Sequence, residues 1–307
     1  MDLSVSIVSY RTPLPLERCL RALEAELDKL DLDVTVVDNA SGDGSPEMVE
    51  REFPWITVMR NARNVGFGAA HNQVLRNASG RYWLVLNSDA VPRPDALKTL
   101  VGFMDANPRI AVAGPKLLNA DGSVQPSRRR FPTVATLFLE STQLQRFWPD
   151  SATLRRYYVQ DRSDDEPQDV DWLSGACLCI RADAAQRVGL FDERFFMYSE
   201  ELDWCRRFKA EGWRVAYVAS AEVVHLEGAS ARQDLASRDR LFQASKLAYA
   251  EKWLGRHVAF ALRAYLIVEY LARGLEEVLK LAIGSRSAER RARLRVIRSG
   301  LVSALKR

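Results

Sequence analysis

The hydrophobic positions of the first 120 residues alternate between two spacings. Short runs of apolar and β-branched residues are typical of buried strands, whereas leucines that recur every three or four residues lie on one face of a helix. The predicted strands cover residues 3–10, 34–37, 56–60, 82–87 and 110–112, and the predicted helices cover 16–30, 68–77 and 94–107. This alternation predicts an α/β fold in which a mostly parallel sheet is flanked by helices.

Beyond residue 120 the pattern changes. Residues 123–170 have weak periodicity, and we expect them to form a loop-rich insertion over the site rather than a separate domain. Regular patterns then return, with predicted strands at 170–181 and 213–225, the second broken near Ser220, and a helix at 200–211. Helical spacings at 233–254, 258–283 and 288–305 make the last quarter of the chain helical.

Polar side chains stand at the carboxyl ends of several of the predicted strands. In a parallel sheet, ligands bind at these ends of the strands. The residues in question are Ser9-Tyr10, Asp38-Asn39, Arg63-Asn64 and Asn87-Ser88-Asp89. The oxygen atoms of Asn87 and Asp89 suit a hard divalent cation, although the same residue types also favour turns and helix caps. Asp38 is placed to accept from a base or a ribose hydroxyl, or else to cap a helix.

Three further features could carry chemistry or could be structural. Glu200, Glu201 and Asp203 are either functional carboxylates or ordinary acids in a first helical turn. His225 stands at the end of an apolar run. It is either a ligand or a hydrogen-bonding residue of the core. Gly66-x-Gly68 resembles a dinucleotide fingerprint, but His71 stands where the third glycine belongs and the motif is not in the first βα turn, so this signal is weak.

Composition and charge restrict the class of protein. With 47% apolar and 27% charged residues, the 307-residue chain is folded and has no uncharged apolar stretch long enough to span a membrane. The start of the chain lacks the features of a secretory signal, and the four cysteines are typical of reduced core thiols, so we expect a cytoplasmic location. Residues 286–307 contribute +7 to a net charge of +4, which leaves −3 for the preceding residues and favours an anionic surface over nucleic acid as the partner of the tail.

Taken together and in this order, the motifs of residues 3–255 resemble those of family 2 inverting glycosyltransferases with a GT-A fold, in particular the bacterial rhamnosyltransferase-like branch. The motifs that carry the resemblance are Val8-Ser9-Tyr10, Asp38-Asn39-Ala40-Ser41, Arg63-Asn64-x-Gly66-Phe67, Leu86-Asn87-Ser88-Asp89, Trp172-Leu173-Ser174-Gly175-Ala176, Phe191-Asp192-Glu193-x-Phe195-Phe196, Glu200-Glu201-x-Asp203 and His225. The resemblance implies metal-dependent transfer of a sugar, L-rhamnose from dTDP-rhamnose being the expected case, in the synthesis of a cell-surface polysaccharide.

The resemblance also implies roles for individual residues. Those that would bind the nucleotide-sugar donor, a dTDP- or UDP-sugar, are Tyr10, Asp38, Arg63, Asn87 and Asp89. Asp89 and His225 would bind Mg²⁺ or Mn²⁺. Glu201 would be the catalytic base, while Trp172, Gly175, Ala176 and Glu200 would bind a glycan or lipid-linked acceptor.

Two positions depart from the family's pattern. Asn87 replaces the first acid of the metal motif, which leaves fewer charges on the cation. Glu201 stands where the family usually has an aspartate, and sequence periodicity does not choose between Glu201 and Glu200, because neighbouring helical side chains point about 100° apart. A nucleotide-dependent oxidoreductase or epimerase, and a catalytically idle membrane-associated assembly partner, are the alternative functions.

The resemblance divides the chain at residue 255. Residues 1–255 would be the catalytic domain, with a nucleotide-sugar half at 1–120 and an acceptor half at 121–255, followed by an amphipathic, basic region at 256–307. Leu294, Ile297, Leu301 and Leu305 recur at helical spacing among arginines, which predicts a helix that lies on anionic lipid or, alternatively, contacts a second copy in a homodimer. We therefore expect a peripheral location on the inner face of the cell membrane.

Overall fold

The structure is a computed structural model that describes residues 1–226, 235–283 and 287–305. Residues 233 and 234 of one predicted helix, and Arg286, Lys306 and Arg307 of the basic tail, lie outside the described residues. Contacts divide the chain into two compact units. The first contains residues 1–131, 158–196 and 200–226, and the second contains 132–157, 197–199, 235–283 and 287–305. These units are a different partition from the functional division at residue 255, which stays a prediction.

The strands of the first unit begin and end close to the predicted positions. They are β1 (Leu3–Ser9), β2 (Leu32–Asp38), β3 (Thr57–Arg60), β4 (Tyr82–Asn87), β5 (Ala90–Pro92), β6 (Ile110–Leu118), β7 (Val124–Gln125), β8 (Arg128–Arg129), β9 (Gln168–Val170), β10 (Trp172–Leu173), β11 (Cys177–Arg181) and β12 (Arg214–His225). The predicted strand at 170–181 is wrong as one continuous element, because it divides into β9, β10 and β11. The predicted break in β12 is confirmed, since its pairing with β6 shifts register between Val218 and Glu222.

The helices of the first unit are α1 (Pro13–Glu24), α2 (Ser45–Glu52), α3 (Phe67–Leu75), α4 (Ala96–Ala106), α8 (Ala182–Val188) and α9 (Glu200–Ala210). The helices of the second unit are α5 (Val134–Leu139), α6 (Gln143–Phe147), α7 (Ala152–Tyr157), α10 (Leu235–Leu254), α11 (Arg256–Ala282) and α12 (Ser287–Leu305). The expectation of a loop-rich insertion at 123–170 is therefore corrected. Short helices α5 to α7 and strands β7 to β9 occupy much of it, and residues 132–157 belong to the second unit.

Strands of the first unit form a mixed sheet in the order β3-β2-β1-β4-β11-β6-β12-β5, with β7 paired to β6 and β9 to β12. Parallel pairing holds within β3-β2-β1-β4 and between β6 and β12, as the alternating pattern predicts. β11 runs antiparallel between β4 and β6, so the α/β class is confirmed while the sheet is parallel only in these two parts. Sequence periodicity did not predict this reversal, because it carries no information on strand direction.

Two apolar clusters cover the faces of this sheet. One contains the inward positions of β1, β2 and β4 together with the leucine face of α1, where Leu16, Leu20 and Leu23 are fully buried. The other packs α8 and α9 on the opposite side, around Trp204 and Phe208. Cys19, Cys177, Cys179 and Cys205 are all buried and free, as predicted for core thiols. Both faces of the sheet are therefore covered by packed side chains, so functional residues are expected at its edges.

The second unit has its own apolar cluster, built by α5, α10, α11 and α12. Ile297 and Ala304 of α12 are buried in it and Leu301 packs against it. Gly300 allows close approach of α11, because a Cβ atom there would lie 2.3 Å from Cζ of Tyr270. Ile297 and Leu301 of the predicted apolar face of α12 therefore pack within this unit, whereas Leu305 is exposed, and the membrane or dimer role of this face stays a prediction. In the described part of the chain, no helix combines the length and apolar character needed to cross a bilayer.

Candidate active site

The sheet brings the predicted strand-end residues to one edge. Ser9 pairs with Asp38 across β1 and β2, and Val8 pairs with Asn87 across β1 and β4. The start of β11 reaches the same edge, since the backbone N–H of Asn87 donates to the carbonyl of Ala176 at 2.9 Å. Parallel pairing of β6 with β12 directs the end of β12 to this edge as well. Residues far apart in sequence thus meet because of strand order and direction.

Asp89 and His225 lie next to each other, as the metal assignment predicts. Asp89 Oδ1 is 3.3 Å from His225 Nε2, and both side chains are buried. The amide nitrogen of Asn87 also lies 3.3 Å from His225 Nε2. Pairing of His225 with Ala90, and a hydrogen bond from the N–H of Leu226 to the carbonyl of Asp89, hold the two segments together.

Gln125 determines which nitrogen of His225 faces Asp89. Its side-chain oxygen lies 2.7 Å from His225 Nδ1 and can only accept, so Nδ1 carries the proton. The amide nitrogen of Gln125 donates to Asn119 Oδ1 at 3.1 Å, which fixes the orientation of the amide. In the neutral imidazole, Nε2 then presents a lone pair beside the carboxylate of Asp89.

This arrangement fits a divalent cation. Two adjacent ligands of one Mg²⁺ ion are about 3 Å apart when each bond is about 2.1 Å, which is close to the 3.3 Å between Asp89 Oδ1 and His225 Nε2. Within the described residues, no group of three or more His, Cys, Asp or Glu side chains could hold a metal. Asp89 and His225 would be the two ligands from this pair, and the remaining positions would be open to a diphosphate and water.

Asp38 is buried at the end of β2, where its carboxylate accepts from the backbone N–H of Ser41. Ser41 in turn accepts from the backbone N–H of Arg11 at 3.0 Å, so the loops after β1 and β2 are joined. Tyr10 is half-buried and lies under the guanidinium group of Arg11, 5.1 Å from ring centre to Cζ. Arg63 is exposed. Asp38 does not cap α2, whose N-cap is Gly44, and the donor-binding role of Asp38 stays a prediction.

Asn39 organises the loop that follows β3, a role that sequence reasoning missed. Its side-chain oxygen accepts from the backbone N–H of Val65 at 3.0 Å and from Asn61, and its amide nitrogen donates to Asn64 Oδ1 at 2.9 Å. Asn39 is almost fully buried. The Asp38-Asn39 and Arg63-Asn64 motifs are therefore one structure, in which the buried amide fixes the loop that carries Arg63.

Gly66 joins this loop to the segment at 191–196. Its φ is 93°, and a Cβ atom would lie 2.4 Å from the carbonyl oxygen of Phe196, which accepts from the N–H of Phe67 at 2.8 Å. Asn72 of α3 adds two hydrogen bonds to the backbone of Phe191. Gly66 is thus required for close backbone approach, not for a dinucleotide turn.

His71, which stands at the third position of the weak fingerprint, is structural. It is fully buried, and its Nδ1 lies 2.8 Å from Ser6 Oγ of β1. Burial lowers the pKa of His71 to about 3, so the ring is neutral at physiological pH. Asp203 is also structural, because it is fully buried and pairs with Arg207 at 2.9 Å, and Arg207 donates to the backbone carbonyls of residues 188–190.

The first turn of α9 presents Glu200 and Glu201 to different surroundings. Glu201 packs on Gly175, where an added Cβ would lie 3.6 Å from Glu201 Cβ, whereas Glu200 lies beside Gly68 of α3. Glu200 is 4% exposed and Glu201 is half-buried. Only Glu201 therefore adjoins the segment that precedes β11, which reaches the edge of Asp38 and Asn87.

Both carboxyl groups have raised pKa values. Burial raises the pKa of Glu200 well above its ordinary value, and the charge of Glu201 adds to the effect. Burial also raises the pKa of Glu201, while the N–H groups of its own residue, Gly175 and Leu202, and the positive charge of Arg129, act in the opposite direction. One oxygen of each carboxyl group is buried without a hydrogen-bond partner. Glu201 is thus a stronger base than an exposed glutamate.

The predicted acceptor residues lie along the segment from β10 to β11. Trp172 is half-buried and donates from Nε1 to the carbonyl of Arg130 at 3.0 Å, and β10 pairs with β8, which carries Arg129. Gly175 contacts Glu201, but the side chain of Ala176 is buried in the apolar cluster. Ala176 can therefore act only through its backbone, which is already bonded to Asn87.

Comparison with known proteins gives the family. Residues 4–163, just over half of the chain, match Glycosyl transferase family 2. The chain is 33% identical over 246 residues to the N-acetylglucosaminyl-diphospho-decaprenol L-rhamnosyltransferase of Mycobacterium tuberculosis, which is 76% of this chain and 79% of that protein. This chain therefore belongs to glycosyl transferase family 2, and the oxidoreductase or epimerase alternative is excluded.

A second relative agrees with this assignment, and solved structures of low identity share the fold. The rhamnosyltransferase WbbL of Escherichia coli is 27% identical over 169 residues, 52% of this chain and 60% of that protein. The mannosyltransferase PcManGT of Pyrobaculum calidifontis, solved with GDP-Man and Mn²⁺, has a TM-score of 0.57 at 19% identity and covers 99% of this chain and 85% of its own. GalNAc-T7, solved with UDP, GalNAc and Mn²⁺, has a TM-score of 0.54 at 15% identity, over 82% of this chain and 50% of its own. These structures confirm the GT-A fold.

Proposed function

We propose that this glycosyltransferase transfers L-rhamnose from dTDP-rhamnose to a glycan or lipid-linked acceptor, with inversion at the anomeric carbon and with the aid of a divalent cation. The observation that carries the proposal is the buried pair of Asp89 and His225, 3.3 Å apart, on a sheet edge shared with Asp38 and with the segment that Glu201 contacts. The rhamnosyl assignment and the polysaccharide product rest on the relatives from Mycobacterium tuberculosis and Escherichia coli.

The donor would lie across the ends of β1, β2 and β4. Asp38 would accept from the base or ribose, and Tyr10 and Arg63, on loops at the same edge, would contact the nucleotide. Asn87 would donate from its amide to a diphosphate oxygen or to His225, since its side chain lies between the donor edge and the imidazole. An amide at this position carries no negative charge that would repel the diphosphate.

Asp89 and His225 would hold Mg²⁺ or Mn²⁺. A bound cation would act as a Lewis acid that stabilises the negative charge developing on the leaving diphosphate. An imidazole nitrogen among the ligands favours Mn²⁺ over Mg²⁺, because Mg²⁺ prefers oxygen. Gln125 would keep Nε2 unprotonated and aimed at the cation by accepting from Nδ1.

Glu201 would take the proton of the acceptor hydroxyl as that oxygen attacks the anomeric carbon. The raised pKa improves the match between this carboxylate and a hydroxyl that becomes acidic in the transition state. Gly175 leaves room beside Glu201, and Trp172 would offer an aromatic surface to the acceptor sugar. Glu200 would contribute to the acceptor side by its position on the same helical turn and not by charge, because burial favours its neutral form.

The second unit would bring the enzyme to the inner face of the cell membrane. α11 exposes a continuous apolar stripe at helical spacing, formed by Phe260, Val268, Leu271, Leu275, Val278 and Leu279. Exposed apolar stripes of this kind are typical of interfacial helices. The arginines of α12 would add attraction to anionic lipid, while its own apolar residues hold the unit together. A homodimer through the same stripe is the alternative outcome for this surface.

Product analysis tests the proposal. Purified protein would be incubated with Mn²⁺, a panel of dTDP- and UDP-sugars, and a short lipid-linked N-acetylglucosaminyl diphosphate. We expect transfer from dTDP-rhamnose only, with nuclear magnetic resonance showing an anomeric configuration opposite to that of the donor. Transfer with retention would contradict the mechanism. No transfer from any sugar nucleotide would favour the catalytically idle partner instead.

A further inference from the structure

A cavity of about 350 Å³ lies between α10 and α12, within the second unit. Its lining consists of Arg240, Arg295, Arg298, Ser299, Val302 and Ser303. Three arginines and two serines thus line one space, and no Asp or Glu of the described residues is among its lining residues. The lining has the composition of an anion site, because every polar side chain in it can donate hydrogen bonds.

The helical spacing of α12 explains the convergence. Arg295, Arg298 and Val302 lie three and four residues apart and share one side of the helix. Ile297 and Ala304, on the other side, are buried in the apolar cluster. Packing of that cluster therefore fixes the rotation of α12 and directs these arginines toward Arg240 of α10.

The described residues provide no counter-charge for the arginines of this cavity. Within the part of the chain that the structure describes, neither Arg240, Arg295 nor Arg298 forms an ion pair with a carboxylate. Other arginines of α12 are paired, Arg290 with Glu277 at 2.9 Å and Arg293 with Glu289 at 2.6 Å. The positive charges of Arg240, Arg295 and Arg298 repel one another when they are held close together. An anion in the cavity would offset this repulsion.

We propose that this cavity binds a phosphate group that carries one or two negative charges. Planar guanidinium groups bind phosphate oxygens in a bidentate manner, and Ser299 and Ser303 can donate to further oxygens. The phosphate belongs either to an anionic lipid headgroup or to a soluble phosphate or diphosphate. The lipid source rests on the proposed membrane location, whereas binding of soluble phosphate does not.

Binding by the full-length protein tests the proposal with two probes in the presence of a chelator, so that no metal bridges a probe to Asp89 and His225. One probe is inorganic diphosphate, measured by calorimetry. The other is vesicles of phosphatidylcholine with and without phosphatidylglycerol, measured by sedimentation. The variants are Arg295→Gln combined with Arg298→Gln, and Arg240→Gln alone from the other helix. Arg291→Gln is the matched control, because Arg291 is an exposed arginine of α12 outside the cavity.

We expect the double variant to lose about tenfold or more in affinity for at least one probe, and Arg240→Gln to weaken the same probe, while Arg291→Gln has little effect. Loss confined to diphosphate identifies a soluble ligand, and loss confined to phosphatidylglycerol vesicles identifies a headgroup; both support the site. Equal losses in Arg291→Gln and the cavity variants would show general attraction to a basic surface and overturn the proposal, as would failure of both probes to bind. No sugar nucleotide is used, so failure of the proposed glycosyl transfer leaves this test unaffected.

Discussion

The side-chain oxygen of Gln125 lies 2.7 Å from Nδ1 of His225, and Nε2 of the same ring lies 3.3 Å from Asp89. Gln125 belongs to the two-residue strand β7, which pairs with the end of β6. A short strand from one part of the chain thus sets the tautomer of a histidine 100 residues later. The proposed metal pair of Asp89 and His225 would therefore depend on a third residue that binds no metal itself.

Gln125→Leu should lower the affinity for Mn²⁺ by about 10–100-fold, the usual effect of losing a hydrogen-bond partner of a metal-bound histidine. The physical reason is that Nδ1 loses its acceptor and Nε2 can then carry the proton. Titration followed by electron paramagnetic resonance measures free Mn²⁺ directly. Gln125→Glu, which keeps an acceptor at the same place, should restore most of the affinity. Equal affinity in Gln125→Leu and the unsubstituted protein would contradict this role.

Asp89→Ala and His225→Ala should each remove Mn²⁺-stimulated binding of the donor nucleotide. Because both residues would bind one cation, the double variant should be little worse than either single variant, and the two effects should not add. Donor titrations by calorimetry, with and without Mn²⁺, provide the comparison. Normal Mn²⁺ stimulation in His225→Ala would return His225 to a structural role as a buried hydrogen-bonding residue.

Gly66→Ala should destabilise the first unit. A side chain at φ 93° is strained by about 1–3 kcal/mol, and the Cβ atom would also collide with the carbonyl of Phe196 at 2.4 Å. Gly42→Ala is the matched control, since Gly42 also has a positive φ, 63°, but has open space around it. Urea unfolding should show a larger loss of unfolding free energy for Gly66→Ala. Equal losses would mean that the contact with Phe196 contributes nothing.

Glu200→Gln should stabilise the protein, and more so at high pH. The pKa of Glu200 is raised in the folded state, so the folded protein binds more protons than the unfolded chain above the unfolded pKa of about 4.3. Stability contributed by this group therefore falls as pH rises through that value toward the folded pKa. The difference in melting temperature between variant and parent should be larger at pH 8 than at pH 5. A constant difference would show that Glu200 is not held protonated by burial.

Several residues of the candidate site could be predicted from the sequence, because the ends of apolar runs mark the ends of strands. Asp38, Asn87 and Asp89 each end an apolar run, and parallel pairing takes such ends to one edge. The proximity of His225 to Asp89 came only from the family resemblance, since sequence spacing gives no strand order. Gln125 and Asn39 were missed, because their partners depend on where loops return in space.

For α12, the role that the sequence predicted for the apolar residues differs from the role that the structure gives them. Its apolar spacing at Ile297 and Leu301 predicted an exposed lipid-binding face, but the same spacing serves packing against α10 and α11. Periodicity identifies an apolar face without naming what covers it. The exposed stripe lies instead on α11, whose apolar residues occupy more than one side of the helix. Removal of residues 286–307, the obvious test of membrane binding, would therefore uncover the apolar cluster and destabilise the second unit.

Glu201, not Glu200, is proposed to accept the proton of the acceptor hydroxyl, and single-turnover transfer by Glu201→Gln beside Glu200→Gln tests this claim most directly. Glutamine keeps the shape of the side chain but takes no proton, so Glu201→Gln should bind donor within a few-fold of the parent and transfer sugar about 10²–10⁴ times more slowly. Glu200→Gln should lose much less. Normal transfer by Glu201→Gln together with an inactive Glu200→Gln would contradict the claim and assign the base to the neighbouring carboxylate.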